Sequence, residues 1–131
     1  MSPRTSGVAV ADCNLWLKNQ GITVNKLFLV GHSMGGGAVL AYLKASTPSA
    51  IALFAPAGRM LSGVTTVPTF LAVGKQEMAM LSTMANSLAG ELGKQPVFEF
   101  KEYDPCEHLM VVAEGLTDAY KFFDRVVKQV K

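Results

Sequence analysis

A serine stands between two glycines in Gly31-His32-Ser33-Met34-Gly35, directly behind the apolar run Leu27 to Val30 and ahead of a helical pattern. The G-x-S-x-G spacing gains its meaning from that context of strand before and helix after. A tight strand-to-helix turn holds its central residue in a strained backbone conformation, and glycines at Gly31 and Gly35 relieve the crowding on either side. The corner projects the Ser33 hydroxyl beyond the sheet. It also aims the first N–H groups of the helix, those of Met34 and Gly35, at the same point, where a developing oxyanion is favoured. Gly-rich turns also cradle phosphates, but this one lacks the lysine of G-x-x-x-x-G-K-[ST] and does not fit G-x-G-x-x-G.

A serine hydroxyl is a weak nucleophile until a base takes its proton, and the base in turn needs an orienting carboxylate. The chain has two histidines. His32 is a neighbour on the strained turn, points the wrong way for a base, and is read as supporting structure. His108 is then the candidate base, since imidazole suits proton transfer near neutral pH. Cys106 lies two residues before His108, but a lone C-x-H spacing does not make a metal site. No metal or cofactor is implied.

The elements that must position these residues show in the apolar pattern. Leu27 to Val30, Ala50 to Phe54 and Thr69 to Val73 are short and apolar on both faces, as strands are when helices cover both sides of a parallel sheet. Val97 to Tyr103 alternates and suits a sheet edge. Ala9, Cys13, Trp16 and Leu17 form a helical stripe ending near Gly21, with Cys13 expected in the core. Further helices follow the serine, run along Leu81, Met84, Ala85, Leu88 and Leu92, and close the chain along Leu116, Ala119, Phe123, Val126, Val127 and Val130. The order α-β-α-β-β-α-β-α predicts an α/β three-layer sandwich around a small, mainly parallel sheet.

At 131 residues, with half of them hydrophobic and 17% charged, the chain reads as one globular domain over 1–131. A net charge of +2 gives no footprint for nucleic acid or a membrane surface. The start MSPRTSG lacks the apolar core of a signal peptide, and no run reaches membrane-spanning length, so a cytoplasmic location is expected.

GHSMGG resembles the nucleophile elbow of the α/β-hydrolase superfamily, particularly its lipase, esterase and dienelactone-hydrolase-like polyester hydrolase branch. The likeness continues through ALFAPAG, VPTFLAVGKQE and EHL in the family's order. It implies a serine carboxylic-ester hydrolase with Ser33 as nucleophile and His108 as base. The triad acid of the family commonly appears as G-x-x-D; here Gly74-Lys75-Gln76-Glu77 offers Glu77, with Asp104 as competitor. The resemblance also implies what is missing. The family's sheet has eight strands with the elbow after the fifth, so the first four strands are expected to be absent, together with the loop that supplies a second oxyanion donor. A lost donor is worth about 2.7–4 kcal/mol.

The strand Leu27 to Val30 should then form an apolar edge, which invites pairing, and a homodimer is expected. Phe54 to Pro68 leaves no room for a cap domain. An open pocket walled by Leu53, Phe54, Met60 and Leu61, taking short soluble esters, follows. The competing reading is a catalytically weak or inactive hydrolase-like module, or a fragment of a longer hydrolase, that serves in binding.

Overall fold

Four strands and four helices lie among the described residues of a computed structural model, which are 3–44, 46–57, 66–77, 79–93, 97–104 and 106–129. They are α1 (Pro3–Asn19), β1 (Phe28–His32), α2 (Met34–Tyr42), β2 (Ala50–Phe54), β3 (Thr69–Gly74), α3 (Ala79–Leu92), β4 (Phe98–Tyr103) and α4 (Val111–Gln129). The strands form one sheet in the order β1-β2-β3-β4, every pair parallel. The chain is thus a three-layer α/β sandwich.

The two central strands are buried at every position because both of their faces are covered. On one face Ala50, Ala52, Phe54, Phe70 and Ala72 meet Val111, Ala119, Phe122, Phe123 and Val126 of α4. On the other, Ile51, Leu53 and Leu71 meet Val39 and Leu40 of α2 and Leu88 and Leu92 of α3. Complete burial of one large apolar side chain is worth about 1.5–3 kcal/mol. The fully buried Ile51, Leu53, Phe54, Phe70 and Leu71 therefore hold the layers together. Helix α4 carries Glu114 in its first turn and Lys128 in its last, each matched to the helix dipole. Strand β4 is the wet edge, with Lys101 and Glu102 exposed.

Two expectations about packing need correction. Cys13 is exposed, not core. Ala9 and Trp16 of the same stripe are exposed too, whereas Val10, Asn14 and Leu17 are partly sunk. The inward face of α1 is thus turned by one position, because α1 lies against α2 beside the open edge of β1 and finds no sheet beneath its other side. Leu53 and Phe54 are wholly buried and wall no open pocket; they point into the two helix–sheet layers on either side of β2. Met60 and Leu61 lie outside the described residues.

Strand β1 is an open edge. Val30 on it is 44% exposed, and a groove of about 210 Å³ lined by Val10, Leu29, Val30, Gly35, Ala38, Val39 and Tyr42 runs beside it.

Candidate active site

All candidate residues leave the carboxyl ends of the strands, the rim where parallel α/β sheets bind their ligands. Ser33 directly follows β1, Glu77 follows β3 by three residues, and His108 lies beyond the end of β4.

Ser33 has φ 58° and ψ −119°. These angles belong to the first central position of a type II′ turn, where glycine is the usual residue. A side chain in such a conformation costs about 1–3 kcal/mol and persists only when its surroundings enforce it. They do so here. The Ser33 N–H donates to Phe54 O at 2.9 Å, and the Ser33 carbonyl accepts from the N–H groups of Gly36 at 3.0 Å and Ala57 at 2.8 Å. Ala55, also at positive φ (43°), carries the chain out of β2 beside this corner. Serine at a helix N-cap ordinarily accepts a bond from the helix's own N–H groups. The Ser33 hydroxyl makes no such bond. It is strained into place without serving the helix it precedes.

The glycines around the corner divide differently from the expectation. A Cβ on Gly31 would sit 2.5 Å from the Gly35 carbonyl carbon and 2.6 Å from Gly36 N, and one on Gly36 would sit 2.7 Å from the Pro56 Cβ. Gly35 faces open space instead. The close contacts are thus made by Gly31 and Gly36, where α2 rides directly over the ends of β1 and β2. The N–H groups of Met34 and Gly35 open α2 and, like the first donors of any helix, have no acceptor within it.

His108 and Glu77 are brought together. Glu77 Oε1 accepts from His108 Nδ1 at 2.8 Å, and the other carboxylate oxygen accepts from the Gly74 N–H at 3.2 Å. The Glu77 side chain is fully buried and that of His108 is 24% exposed. A carboxylate only accepts, so Nδ1 bears the proton and Nε2 of a neutral His108 keeps its lone pair. Asp104 is not part of this arrangement. It is highly exposed and pairs with Lys75 Nζ at 3.1 Å.

Cys106, two residues before His108, is buried. Burial pushes its thiol above the ordinary range, and the carboxylates of Glu114, Glu77 and Glu107 add to the shift. Its sulfur donates to Glu107 O at 3.5 Å. Among the described residues no three His, Cys, Asp or Glu side chains converge as metal ligands.

The loop bearing His108 has far to travel. Parallel strands lie about 4.8 Å apart, so β4 and β1 stand about 14 Å from each other across β2 and β3. The loop returns over the sheet and is pinned on the way. Lys75 N–H donates to Tyr103 O at 3.0 Å and Gln76 N–H to Cys106 O at 3.1 Å. At its far end His32 Nε2 lies 2.7 Å from the carbonyl oxygen of His108, and the two imidazole rings are 4.6 Å apart at an angle of 33°. This bond was not legible beforehand; the only hint was a polar ring ending an otherwise apolar strand.

The family model described as serine aminopeptidase, S33, matches residues 9–130. The chain belongs to this family of hydrolases. Its fold is that of α/β hydrolases: it is similar to MGS-MChE2, an α/β hydrolase from the metagenome of lagoon sediments at Mar Chica, Morocco, with TM-score 0.67 and 15% identity, covering 95% of this chain and 71% of that one. It is also similar to a point variant of SOBER1 from Arabidopsis thaliana, with TM-score 0.69, 16% identity, and 95% and 65% covered. A predicted CIB-like hydrolase of Thermoplasma acidophilum gives TM-score 0.65, 16% identity, and 98% and 61% covered. The chain thus spans about two-thirds of the length of these structures. No curated protein matches it. No described helix is long and apolar enough to cross a membrane.

Proposed function

We propose that this S33-family hydrolase is a serine carboxylic-ester hydrolase acting on short, accessible esters through an acyl-enzyme. The observation that carries this reading is the buried Glu77 carboxylate bonded to His108 Nδ1, on the same rim as a strained serine that caps nothing. His108 Nε2 takes the Ser33 hydroxyl proton as the Oγ attacks the acyl carbon. The N–H groups of Met34 and Gly35 receive the developing oxyanion. Collapse of the adduct breaks the ester bond, and the leaving alkoxide takes the proton from His108. Water then attacks the acyl-serine with His108 again as base, releasing the acid and restoring Ser33. The Glu77 carboxylate steadies the imidazolium through its bond to Nδ1.

Met34, Leu109 and Met110 are highly exposed immediately beside Ser33 and His108. An apolar rim of this kind suits the hydrocarbon part of an ester. The family's description also suggests peptides, which the same machinery cleaves in principle. An aminopeptidase needs a free carboxylate for its substrate's ammonium; Glu77 has both oxygens engaged, which leaves the exposed Glu107 beside the base for that role.

The test is turnover of p-nitrophenyl acetate and butyrate beside leucine p-nitroanilide, with mass-spectrometric mapping of a fluorophosphonate label. Ester turnover and label on Ser33, with Ser62 and Ser82 untouched, are expected. Absence of both overturns the reading, and faster anilide than ester cleavage moves it to peptidase.

The same reading takes the molecule as a homodimer joined along the open β1 edge, where unpaired strand groups and the exposed Val30 side chain invite a partner. Gel filtration with light scattering should give twice the chain mass; a monomer at micromolar concentration removes that part.

A further inference from the structure

The His32–His108 bond has a fixed direction. A carbonyl oxygen only accepts, so His32 Nε2 carries a hydrogen and donates it at 2.7 Å. That nitrogen is therefore unavailable as a base, although His32 stands next to Ser33 in the chain. It grips the main chain of the residue on which proton transfer depends.

His108 is constrained from two sides by different means. Glu77 holds the ring through Nδ1 and sets its rotation. His32 holds the backbone through the carbonyl and lies against the ring face at 4.6 Å. The neighbours Glu107, Leu109 and Met110 are exposed, so their side chains add no packing to hold the segment. Among the described residues, the other bonds that tie the loop to the sheet, Lys75 to Tyr103, Gln76 to Cys106 and Glu77 to His108, come from the end of β3, while Asp118 and Glu114 of α4 hold its two ends through the Tyr103 hydroxyl and the Met110 carbonyl. Among the described residues, only His32 reaches the loop from the strand that leads into Ser33. The bond therefore sets the separation between the two halves of the site, and an error of about 1 Å in such a separation costs on the order of 100-fold in rate.

We propose that His32 is a positioning residue, which by donating Nε2–H to the His108 carbonyl holds the base-bearing loop at working distance from Ser33. The inference rests on Ser33 and His108 acting as proposed above. His32 touches neither substrate nor reacting atoms.

Three variants and one spectroscopic readout test it. His32→Phe keeps a stacking ring without the donor, His32→Asn keeps polarity but is too short, and His32→Gln places an amide N–H at similar reach. On p-nitrophenyl butyrate, His32→Phe and His32→Asn should lower kcat about 10- to 100-fold, with KM and melting temperature nearly unchanged. His32→Gln should recover most of the loss. Wild-type kcat in His32→Phe, or a His32→Gln no better than His32→Asn, overturns the proposal.

With only two histidines in the chain, long-range proton–nitrogen spectra give a readout that needs no turnover. His32 should show the Nε2–H tautomer, and His108 the Nδ1–H tautomer with resonances that broaden in His32→Phe. His32 found with its proton on Nδ1, or His108 resonances indifferent to the substitution, overturns the tether even if the protein proves to be no esterase. A wild type that neither hydrolyses esters nor labels, yet shows these spectra, refutes the esterase reading and leaves the tether standing.

Discussion

Replacing Ser33 by glycine should make the protein more stable while abolishing ester hydrolysis. The angles φ 58° and ψ −119° mirror an ordinary extended conformation, so glycine adopts them without a clash of its own. Serine there costs about 1–3 kcal/mol, and its hydroxyl returns nothing through a cap bond. Glycine's greater freedom in the unfolded chain takes back about 0.5–1 kcal/mol. A net gain of about 1 kcal/mol raises the melting temperature of a domain this size by about 3–5 °C. Loss of a nucleophile of this kind costs about 10⁶-fold in kcat. Ser33→Ala should be equally inactive without becoming more stable, since its Cβ keeps the clash. Calorimetry beside ester turnover decides the matter. A Ser33→Gly protein that melts no higher than wild type shows that no strain is held at the corner, and one that still turns over removes Ser33 as nucleophile.

Glu77→Gln should produce the second large effect, at almost constant size. The amide can turn its NH₂ toward His108, which then accepts at Nδ1 and carries its proton on Nε2, the nitrogen that takes one from Ser33 in the proposed mechanism. A wrong tautomer of this sort lowers kcat by about 10⁴-fold with geometry intact. KM and fold should change little. Asp104→Asn should leave kcat within about twofold, because Asp104 meets Lys75 at the surface, and such exposed pairs contribute at most about 1 kcal/mol. Kinetics of both variants discriminate the two carboxylates. A slow Asp104→Asn beside a normal Glu77→Gln reverses the assignment.

The alternation of strands and helices was readable because β2 and β3 are apolar at every position, which only two-sided cover permits. The corner at Ser33 was readable from glycine spacing, and Glu77 and His108 from family resemblance together with the shortage of histidines. What escaped the sequence depends on neighbours far along the chain. Periodicity placed Cys13 and Trp16 on a stripe, but which stripe of α1 turns inward depends on α2, and that stripe is exposed. Leu53 and Phe54 look like pocket walls near a site until β2 proves to be central. The tight fit at Gly36 follows from Pro56, a residue of another turn. His32 was legible as supporting structure, but not for what it supports, because its acceptor is a backbone carbonyl, which no side-chain motif reveals.

The loop that returns across the sheet joins groups 76 positions apart in the chain and on opposite margins of the sheet. Neither a hairpin nor a single helix–strand unit contains both halves of the site, and loops this long are closed late in folding. With Ser33 and His108 acting as proposed, chemical reactivity at the corner is therefore a gauge of cooperative assembly. A partly melted species, whichever margin frays first, is silent toward an acylating reagent well before its helices are lost.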